Sequence, residues 1–201
     1  MSNTDATIAF RIARAARRLL GLDREKRWNT QYATGAWDGL RRLDEMAHHA
    51  VLAGYSTKLK PNGALLDVGC GDGLFHEHLH GQYGSYVGID FAEPVRRASA
   101  KSDERTRFIA VDMHEYSTDE RFDAVVFDES LSYHRDPIAG LQRYETMLAA
   151  DGVFLISMHR TPKSDAIWAK ADAHWAVMDA VTMTNAKGVT WMTKVLVPQI
   201  R

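Results

Sequence analysis

From residue 64 to residue 158 the sequence alternates short apolar runs with stretches of helical periodicity. The apolar runs are ALLDV (64–68), YVGID (86–90), RFIAVD (107–112), FDAVVF (122–127) and GVFLISM (152–158). Several of them are hydrophobic at nearly every position, which is typical of strands that are covered on both faces. The helical stretches lie around 71–80, 93–102 and 137–149. This alternation predicts an α/β fold in which a parallel sheet carries helices on both faces.

The two ends of the chain depart from that alternation. After a predicted helix at 164–175, the segments AVMDAVTMT and VTWMTKVLVP flank the turn sequence NAKG, which predicts an antiparallel hairpin. The first 60 residues instead have helical periodicity, and arginines are frequent in the first helix. We therefore expect a doubly wound sheet of seven strands, mostly parallel, with a helical extension or lid over 1–60 and the sheet over 61–201. The two parts are expected to form one structural domain.

Composition narrows the range of partners and locations. The 25 Lys and Arg residues balance 26 Asp and Glu, whereas nucleic-acid binding usually requires a basic excess, so no nucleic-acid partner is expected. No apolar run reaches the length of about 18 residues that a membrane helix needs, and no membrane insertion is expected. The only cysteine, Cys70, has no partner within the chain, and arginines interrupt the N-terminal region where a signal peptide would be apolar. These features predict a cytoplasmic protein.

A glycine-rich turn follows the first apolar run, in the sequence ALLDVGCGDGLF (64–75). A strand, a glycine-rich turn and the start of a helix together let the backbone approach a ligand closely. The dinucleotide fingerprint G-x-G-x-x-G fits poorly, because Leu74 stands where its third glycine belongs. The turn is also flanked by Asp67 and Asp72, and an acidic loop is a poor match for a pyrophosphate. A tight turn without a ligand is the alternative interpretation.

This turn resembles the first motif of the class I S-adenosylmethionine-dependent methyltransferases, D-x-G-x-G-x-G. The matching residues are Asp67, Gly69, Gly71 and Gly73. Further motifs of that family follow in order at the ends of the next predicted strands: Asp90 in GID, Asp112 in VDM, and FDES at 127–130. The resemblance covers about residues 60–198, including the C-terminal hairpin. It implies a Rossmann-like sheet, S-adenosyl-L-methionine as cofactor and methyl transfer to a small molecule.

The resemblance also implies a role for each strand end. Asp90 would hold the two ribose hydroxyls, Asp112 would lie by the adenine amino group, and Met113 would lie on the ring edge. The cofactor-binding candidates are Asp67, Gly69, Cys70, Gly71, Gly73, Asp90, Phe91, Asp112, Met113, Asp128, Tyr32 and Trp28. Helix capping is the alternative role for a strand-end aspartate such as Asp112.

Three aromatic residues stand out in the N-terminal segment: Trp28, Tyr32 and Trp37. In similar enzymes a helical N-terminal segment covers the cofactor and acceptor pocket, and a tyrosine there can contact the methionyl carboxylate. Packing of the rings onto the sheet is the alternative. Together with FDESLSYHRDP and SMHR, this pattern looks most like small methyltransferases of glycan or natural-product biosynthesis, which act on an oxygen or a nitrogen.

Methyl transfer from a sulfonium mainly requires alignment of the acceptor and exclusion of water. A general base is needed only when the acceptor must lose a proton, as a hydroxyl does. The candidates are His134 and Glu129, which follow the fourth predicted strand, and His159, which follows the fifth. A neutral imidazole is the natural base near pH 7, so His134 is the first choice. Packing or capping is the alternative role for both histidines.

The segment HEHLH (76–80) is a candidate metal-binding sequence, because His76 and His80 share a helix face. Zinc needs further ligands at defined spacing, and no cysteine or acidic partner motif accompanies this pair, so no metal site is predicted. Two other functions stay open on the sequence alone. One is an oxidoreductase with a nucleotide cofactor on a similar sheet, and the other is a catalytically silent cofactor-binding protein.

Overall fold

Seven strands form one sheet in the structure, a computed structural model that describes residues 22–199. The strands are β1 (Ala64–Val68), β2 (Ser85–Asp90), β3 (Thr106–Ala110), β4 (Phe122–Asp128), β5 (Leu148–His159), β6 (Trp175–Thr184) and β7 (Thr190–Pro198). Their order is β3-β2-β1-β4-β5-β7-β6. Strands β1 to β5 pair in parallel, whereas β7 runs antiparallel to both β5 and β6. The predicted mostly parallel sheet with a C-terminal antiparallel hairpin is confirmed.

Six α-helices lie within the described residues, two before β1 and four between strands. They are α1 (Leu22–Ala33), α2 (Met46–Leu59), α3 (Leu74–His78), α4 (Ala92–Ala98), α5 (Pro137–Glu145) and α6 (Pro162–Ala171). Helix α5 begins where the sequence predicts: the carboxylate of Asp136 accepts hydrogen bonds from the backbone N–H groups of Ile138 and Ala139. Proline occupies the first helical position, where its missing N–H costs no hydrogen bond.

Two apolar cores cover the two faces of the sheet, which explains why the strands are hydrophobic at nearly every position. In β1, Leu65 points into the core that α2 and α3 close, and Leu66 points into the core that α5 and α6 close. In β4, Val126 points into the core that α2 and α3 close, and Phe127 points into the core that α5 and α6 close. Successive side chains of a strand face opposite sides, so both sides of β1 and β4 are removed from water.

The last helix and the last hairpin differ from the sequence prediction. The predicted helix 164–175 ends at Ala171, and Trp175 begins β6 instead. The Trp175 ring is 1% exposed and meets Phe154 edge-on, and its indole N–H donates to Glu145 Oε2 at 2.7 Å. Burial of this large ring against β5 stabilises the strand more than continuation of the helix would.

The chain divides into two compact units, one ending at Trp37 and the other beginning at Asp38. In the first unit the rings of Trp28 and Trp37 stack with centroids 5.1 Å apart, and the Tyr32 ring lies 6.2 Å from Trp37. The second unit contains α2 and the whole sheet. The predicted arginine-rich first helix lies outside the described residues, and the division at residue 60 stays a prediction. Between residues 22 and 199, no helix is both long and apolar enough to cross a membrane.

Candidate active site

The turn after β1 adopts left-handed backbone conformations at its three glycines. Their φ angles are +79° at Gly69, +56° at Gly71 and +82° at Gly73, a region that side chains with a Cβ rarely adopt. A Cβ at Gly69 would lie 2.6 Å from the Cβ of Ser130, which follows β4. The backbone N–H of Gly69 donates to the Ile89 carbonyl at 2.8 Å. The turn is therefore fixed against β2 and leaves no space for a side chain at Gly69.

Asp90, at the end of β2, connects that turn to its own strand. Its Oδ2 accepts the Gly71 N–H at 2.8 Å, and its Oδ1 accepts the Phe91 N–H at 2.6 Å. Burial raises the pKa of Asp90 to about 6. A carboxylate has about four lone-pair positions, so two acceptor positions remain after these bonds. Asp90 can therefore hold the turn and accept hydroxyl groups from a ligand at the same time.

Two of the predicted cofactor residues lie on the buried side of the turn. Asp67 is 0% exposed, and its Oδ2 accepts the Tyr86 hydroxyl at 2.6 Å. Burial raises the pKa of Asp67 to about 8, so the carboxyl group is mainly protonated at neutral pH. Cys70 is also buried, and a Cβ at Gly88 would lie 2.9 Å from its sulfur. Both side chains lie in the core on the buried side of the turn. Their contact with a cofactor stays a prediction.

Asp72 of the turn and Glu77 of α3 are paired with cations. The Arg41 guanidinium lies 3.0 Å from Asp72 Oδ2 and 2.6 Å from Glu77 Oε2. Lys101 lies 2.9 Å from the other Glu77 oxygen, and its ammonium group donates to the Asp72 carbonyl. The sequence motif shows only the acids, because their partners lie some 30 residues away in either direction. The charge of the turn is therefore smaller than its sequence indicates.

The segment after β3 brings Met113 to the glycine turn. The Met113 methyl carbon lies 3.7 Å from the position of a Cβ at Gly69, and its carbonyl accepts the Tyr144 hydroxyl at 2.7 Å. Asp112 lies two residues beyond the end of β3, not within it as predicted. Its Oδ1 accepts the His114 backbone N–H at 2.9 Å and lies 2.6 Å from His114 Nδ1. Asp112 thus shapes the loop in which Met113 is held.

Glu129 follows β4 with a left-handed backbone, φ +58°, which is uncommon for a residue other than glycine. Its carboxylate accepts the Ser157 hydroxyl at 3.1 Å and the His159 backbone N–H at 2.7 Å, both from β5. Burial raises the pKa of Glu129 to about 6, although these hydrogen bonds oppose the shift. Strained conformations of this kind concentrate at functional sites, and this one fixes a carboxyl group at the carboxyl ends of β4 and β5.

The two candidate histidines lie in different surroundings. His134 is 6% exposed, and its ring packs against the rings of Phe127 and Tyr144. A Cβ at Gly140 would lie 2.7 Å from His134 Nδ1, so the glycine in α5 makes room for the imidazole. His159 is exposed, with its ring centroid 6.1 Å from that of Trp191. His134 therefore lies in the packed layer under α5, and His159 lies at the surface.

Comparison with known proteins gives the family. A profile described as a methyltransferase domain matches residues 40–194. The chain belongs to this methyltransferase family. The resemblance to class I S-adenosylmethionine-dependent methyltransferases, predicted from four strand-end motifs, is confirmed. The ubiquinone biosynthesis O-methyltransferase of Dinoroseobacter shibae is 32% identical over 141 residues, which are 63% of this chain and 55% of that protein. This methyltransferase thus spans about half the length of the ubiquinone-biosynthesis relatives that it matches.

Solved structures share the fold. The N-methyltransferase NodS of Bradyrhizobium japonicum, in complex with S-adenosyl-L-homocysteine, has a TM-score of 0.68 at 20% identity, covering 81% of this chain and 92% of that one. The 1,6-didemethyltoxoflavin-N1-methyltransferase of Burkholderia thailandensis, solved with bound 1,6-didemethyltoxoflavin and S-adenosylhomocysteine, has a TM-score of 0.70 at 19% identity. That match covers 86% of this chain and 87% of the other. At these identities the likeness confirms the Rossmann-like sheet.

Two histidines of this methyltransferase were missed by the sequence prediction. His48 and His49, in the first turn of α2, both face Asp128 at the end of β4: His48 Nδ1 lies 3.2 Å from Oδ1, and His49 Nδ1 bonds to Oδ2. Burial alone would raise the pKa of Asp128, but the two histidines hold it well below its usual range. The only sequence signal was a consecutive pair of histidines near the start of this helix.

Proposed function

We propose that this protein transfers the methyl group of S-adenosyl-L-methionine to an oxygen or a nitrogen of a small molecule. The observation that carries the proposal is the meeting of Gly69, Asp90 and Glu129 at the carboxyl ends of β1, β2 and β4. In open α/β sheets, ligands bind outside the carboxyl ends of the strands near the point where strand order reverses. Here the order reverses between β1 and β4.

The cofactor would lie across the ends of β1, β2 and β3. Asp90 accepts the ribose hydroxyls with its remaining lone pairs, while the glycine turn lets the backbone approach the methionyl part closely. The proximity of Met113 to Gly69 supports a place for the adenine ring beside Met113. Asp112, Phe91 and Asp128 line the same strand ends, and the proposal retains all three. Trp28 and Tyr32 belong to the first unit, and their cofactor contacts remain predictions.

Glu129 suits the role of general base better than His134 does. A base must reach the proton that it removes, and the His134 ring is packed between aromatic side chains under α5. The Glu129 carboxylate is fixed at the strand ends, and its pKa of about 6 leaves it mainly ionised at pH 7. As the acceptor oxygen forms its bond to the methyl carbon and the carbon–sulfur bond breaks, Glu129 would take the hydroxyl proton. His159 remains the alternative on the same rim.

The names of the relatives support a small-molecule acceptor without selecting one. The Dinoroseobacter protein is an O-methyltransferase, and NodS and the toxoflavin enzyme are N-methyltransferases. A buried carboxyl group with a raised pKa favours a hydroxyl acceptor, because a neutral amine needs no base in the transfer step. We therefore favour a phenol or another hydroxyl compound.

The test is incubation with methyl-labelled S-adenosyl-L-methionine and a matched panel of phenols, sugars and amines, followed by mass spectrometry of the products. We expect a product heavier by one methyl group with a hydroxyl acceptor, and loss of that product in Asp90→Ala. Oxidation of NADH by the same panel, without methylated product, would instead support the oxidoreductase interpretation.

A further inference from the structure

We infer that His48, His49 and Asp128 form a binding site for one divalent transition-metal ion, with zinc as the expected occupant. The three donor groups come from the first turn of α2 and the end of β4, and their ligand atoms all lie within 4.8 Å of one another. This inference is independent of methyl transfer, because metal binding is measured without the reaction.

The donor atoms lie close enough together for one tetrahedral ion after a small movement of His49. Zinc bonds to imidazole nitrogen and carboxylate oxygen are about 2.0–2.2 Å long, so two donors on one ion lie roughly 3.3 Å apart. His48 Nδ1 and Asp128 Oδ1 are separated by 3.2 Å, which matches this spacing. His49 Nδ1 is hydrogen-bonded to the other oxygen of the same carboxylate, so the His49 ring must move away from that oxygen when the ion enters. Three protein ligands leave one position of a tetrahedron open, which is the arrangement of catalytic rather than structural zinc sites.

The imidazole rings are held in the orientation that binding requires. The His48 ring stacks on Trp191 with centroids 5.0 Å apart, and the His49 ring stacks on His78 at 5.5 Å. The Nε2 atom of His48, on the far side of the ring from Asp128, lies 3.6 Å from Glu45 Oε2. His48 Nε2 makes no hydrogen bond at this distance. Metal-bound histidines commonly donate their second N–H to a carboxylate, and a small movement of Glu45 would let it accept that bond.

The charges around the cluster also favour a dication. His48 is fully buried and is surrounded by three carboxylates, those of Asp128, Glu129 and Glu45. Without an ion, protonated imidazole is the group that offsets these carboxylates. One divalent ion offsets the carboxylate charges while both rings stay neutral. Two nitrogen donors select zinc, cobalt or copper over magnesium, which prefers oxygen ligands.

The direct test is calorimetric titration of Zn²⁺ into tag-free protein that has been dialysed against a chelator. We expect about one ion per chain, and no displacement of zinc by excess Mg²⁺. His49→Ala should weaken zinc binding by at least about 100-fold, and Glu45→Gln, which removes only the orienting carboxylate, by about 10–100-fold. The matched control is His174→Ala, since His174 is exposed, lies outside the cluster and places its Nδ1 against the Lys170 carbonyl.

A second measurement on the wild type covers the case in which His49→Ala does not fold. Cu²⁺ bound at the site should show hyperfine coupling to two directly bound imidazole nitrogens in its paramagnetic resonance spectrum. The inference is overturned if zinc does not bind at micromolar concentration, or if folded His49→Ala binds it as tightly as the wild type. It is equally overturned if His174→Ala abolishes binding, or if the Cu²⁺ spectrum shows no nitrogen coupling.

Discussion

The cofactor side and the acceptor side of the candidate site are built in different ways. At the ends of β1 and β2, the arrangement consists of backbone N–H groups, glycine dihedral angles and one carboxylate, all within residues 67–91. At the end of β4 it consists of side chains from α2, β4 and β5, drawn from residues 48–159. The first side can be read from a local motif, whereas the second exists only once the chain has folded.

The carboxylates on the two sides also respond differently to burial. Asp67 and Asp90 are buried beside backbone amides and a phenol, and their pKa values rise to about 8 and about 6. Asp128 is also largely removed from water, but two histidines hold its pKa below the usual range, and burial raises the pKa of its neighbour Glu129 to about 6. Whether a buried carboxyl group at this edge of the sheet is neutral or ionised therefore depends on the groups that it contacts.

The largest effect is expected from Glu129→Gln, which changes the acceptor side alone. With a hydroxyl acceptor, turnover should fall by about 10²–10⁴-fold while affinity for S-adenosylhomocysteine is unchanged. Wild-type turnover should fall as the pH drops below about 6, because the protonated carboxyl group no longer accepts a proton, and the variant should lack this limb. Steady-state kinetics across pH 5–8 measures both.

The same assay separates the two candidate bases. If His134→Gln loses turnover and the acidic limb while Glu129→Gln keeps both, then His134 is the base, as the sequence first indicated, and the assignment of Glu129 is wrong.

Gly69→Ala changes the glycine turn where it contacts the segment after β4. The new Cβ would lie 2.6 Å from Ser130 in a left-handed conformation, so a loss of about 1–3 kcal/mol in unfolding free energy is expected, with weaker cofactor binding. The control is Gly54→Ala in α2, where nothing lies within 4 Å of the new Cβ. That change should stabilise the protein by about 0.5–1 kcal/mol. Equal denaturant midpoints for the two variants would contradict the packing described here.

The affinity for S-adenosylhomocysteine should depend on pH through Asp90. Its pKa of about 6 means that the carboxylate gains a proton below that pH and then accepts fewer hydrogen bonds from the ribose. Affinity should fall by up to about tenfold for each pH unit below 6. Glu129→Gln should keep this dependence, and Asp90→Asn should lose it. If the pH dependence of affinity disappears in Glu129→Gln instead, the titrating group is Glu129 and the assignment to Asp90 is wrong.

A further prediction concerns the pH dependence of stability and Asp67. Its folded pKa of about 8 lies above the ordinary value of 3.8, so the folded protein binds a proton that the unfolded chain releases. This group's contribution is therefore fully present below about pH 4 and is lost as the pH rises to 8, by up to about 1.4 kcal/mol per unit. Denaturant unfolding at pH 6, 7 and 8 should show the decline, and Asp67→Asn should flatten it. An equal slope in both proteins would contradict the assignment.

Local signals were sufficient for much of the fold. The bounds of β1 and the start of α5 at Pro137 match the sequence prediction, because a continuous apolar run and an Asp-Pro cap are local features. Trp175 was predicted to end a helix and instead begins β6, because its burial against Phe154 depends on residues distant in sequence. The ion pair between Arg41 and Asp72 was not predicted for the same reason, because the two residues are 31 positions apart.

The candidate site shows the same difference between local and long-range contacts. The glycine turn and Asp90 are close in sequence and were predicted together. The contact of His48 and His49 with Asp128 joins residues 79 or more positions apart, and no spacing rule for local motifs includes it. Contacts of this kind depend on how α2 packs on the sheet, which a single sequence does not show.

The most direct measurement of the central claim is a calorimetric titration of S-adenosylhomocysteine and NADH into the wild type, Asp90→Ala and Glu129→Gln. We predict that about one S-adenosylhomocysteine binds per chain and that NADH does not bind. Asp90→Ala should lose at least tenfold in affinity, since hydrogen bonds to a charged group contribute about 1.5–3 kcal/mol each, while Glu129→Gln should bind as the wild type does. Tight binding of NADH without S-adenosylhomocysteine, or full affinity in a folded Asp90→Ala variant, would contradict the account.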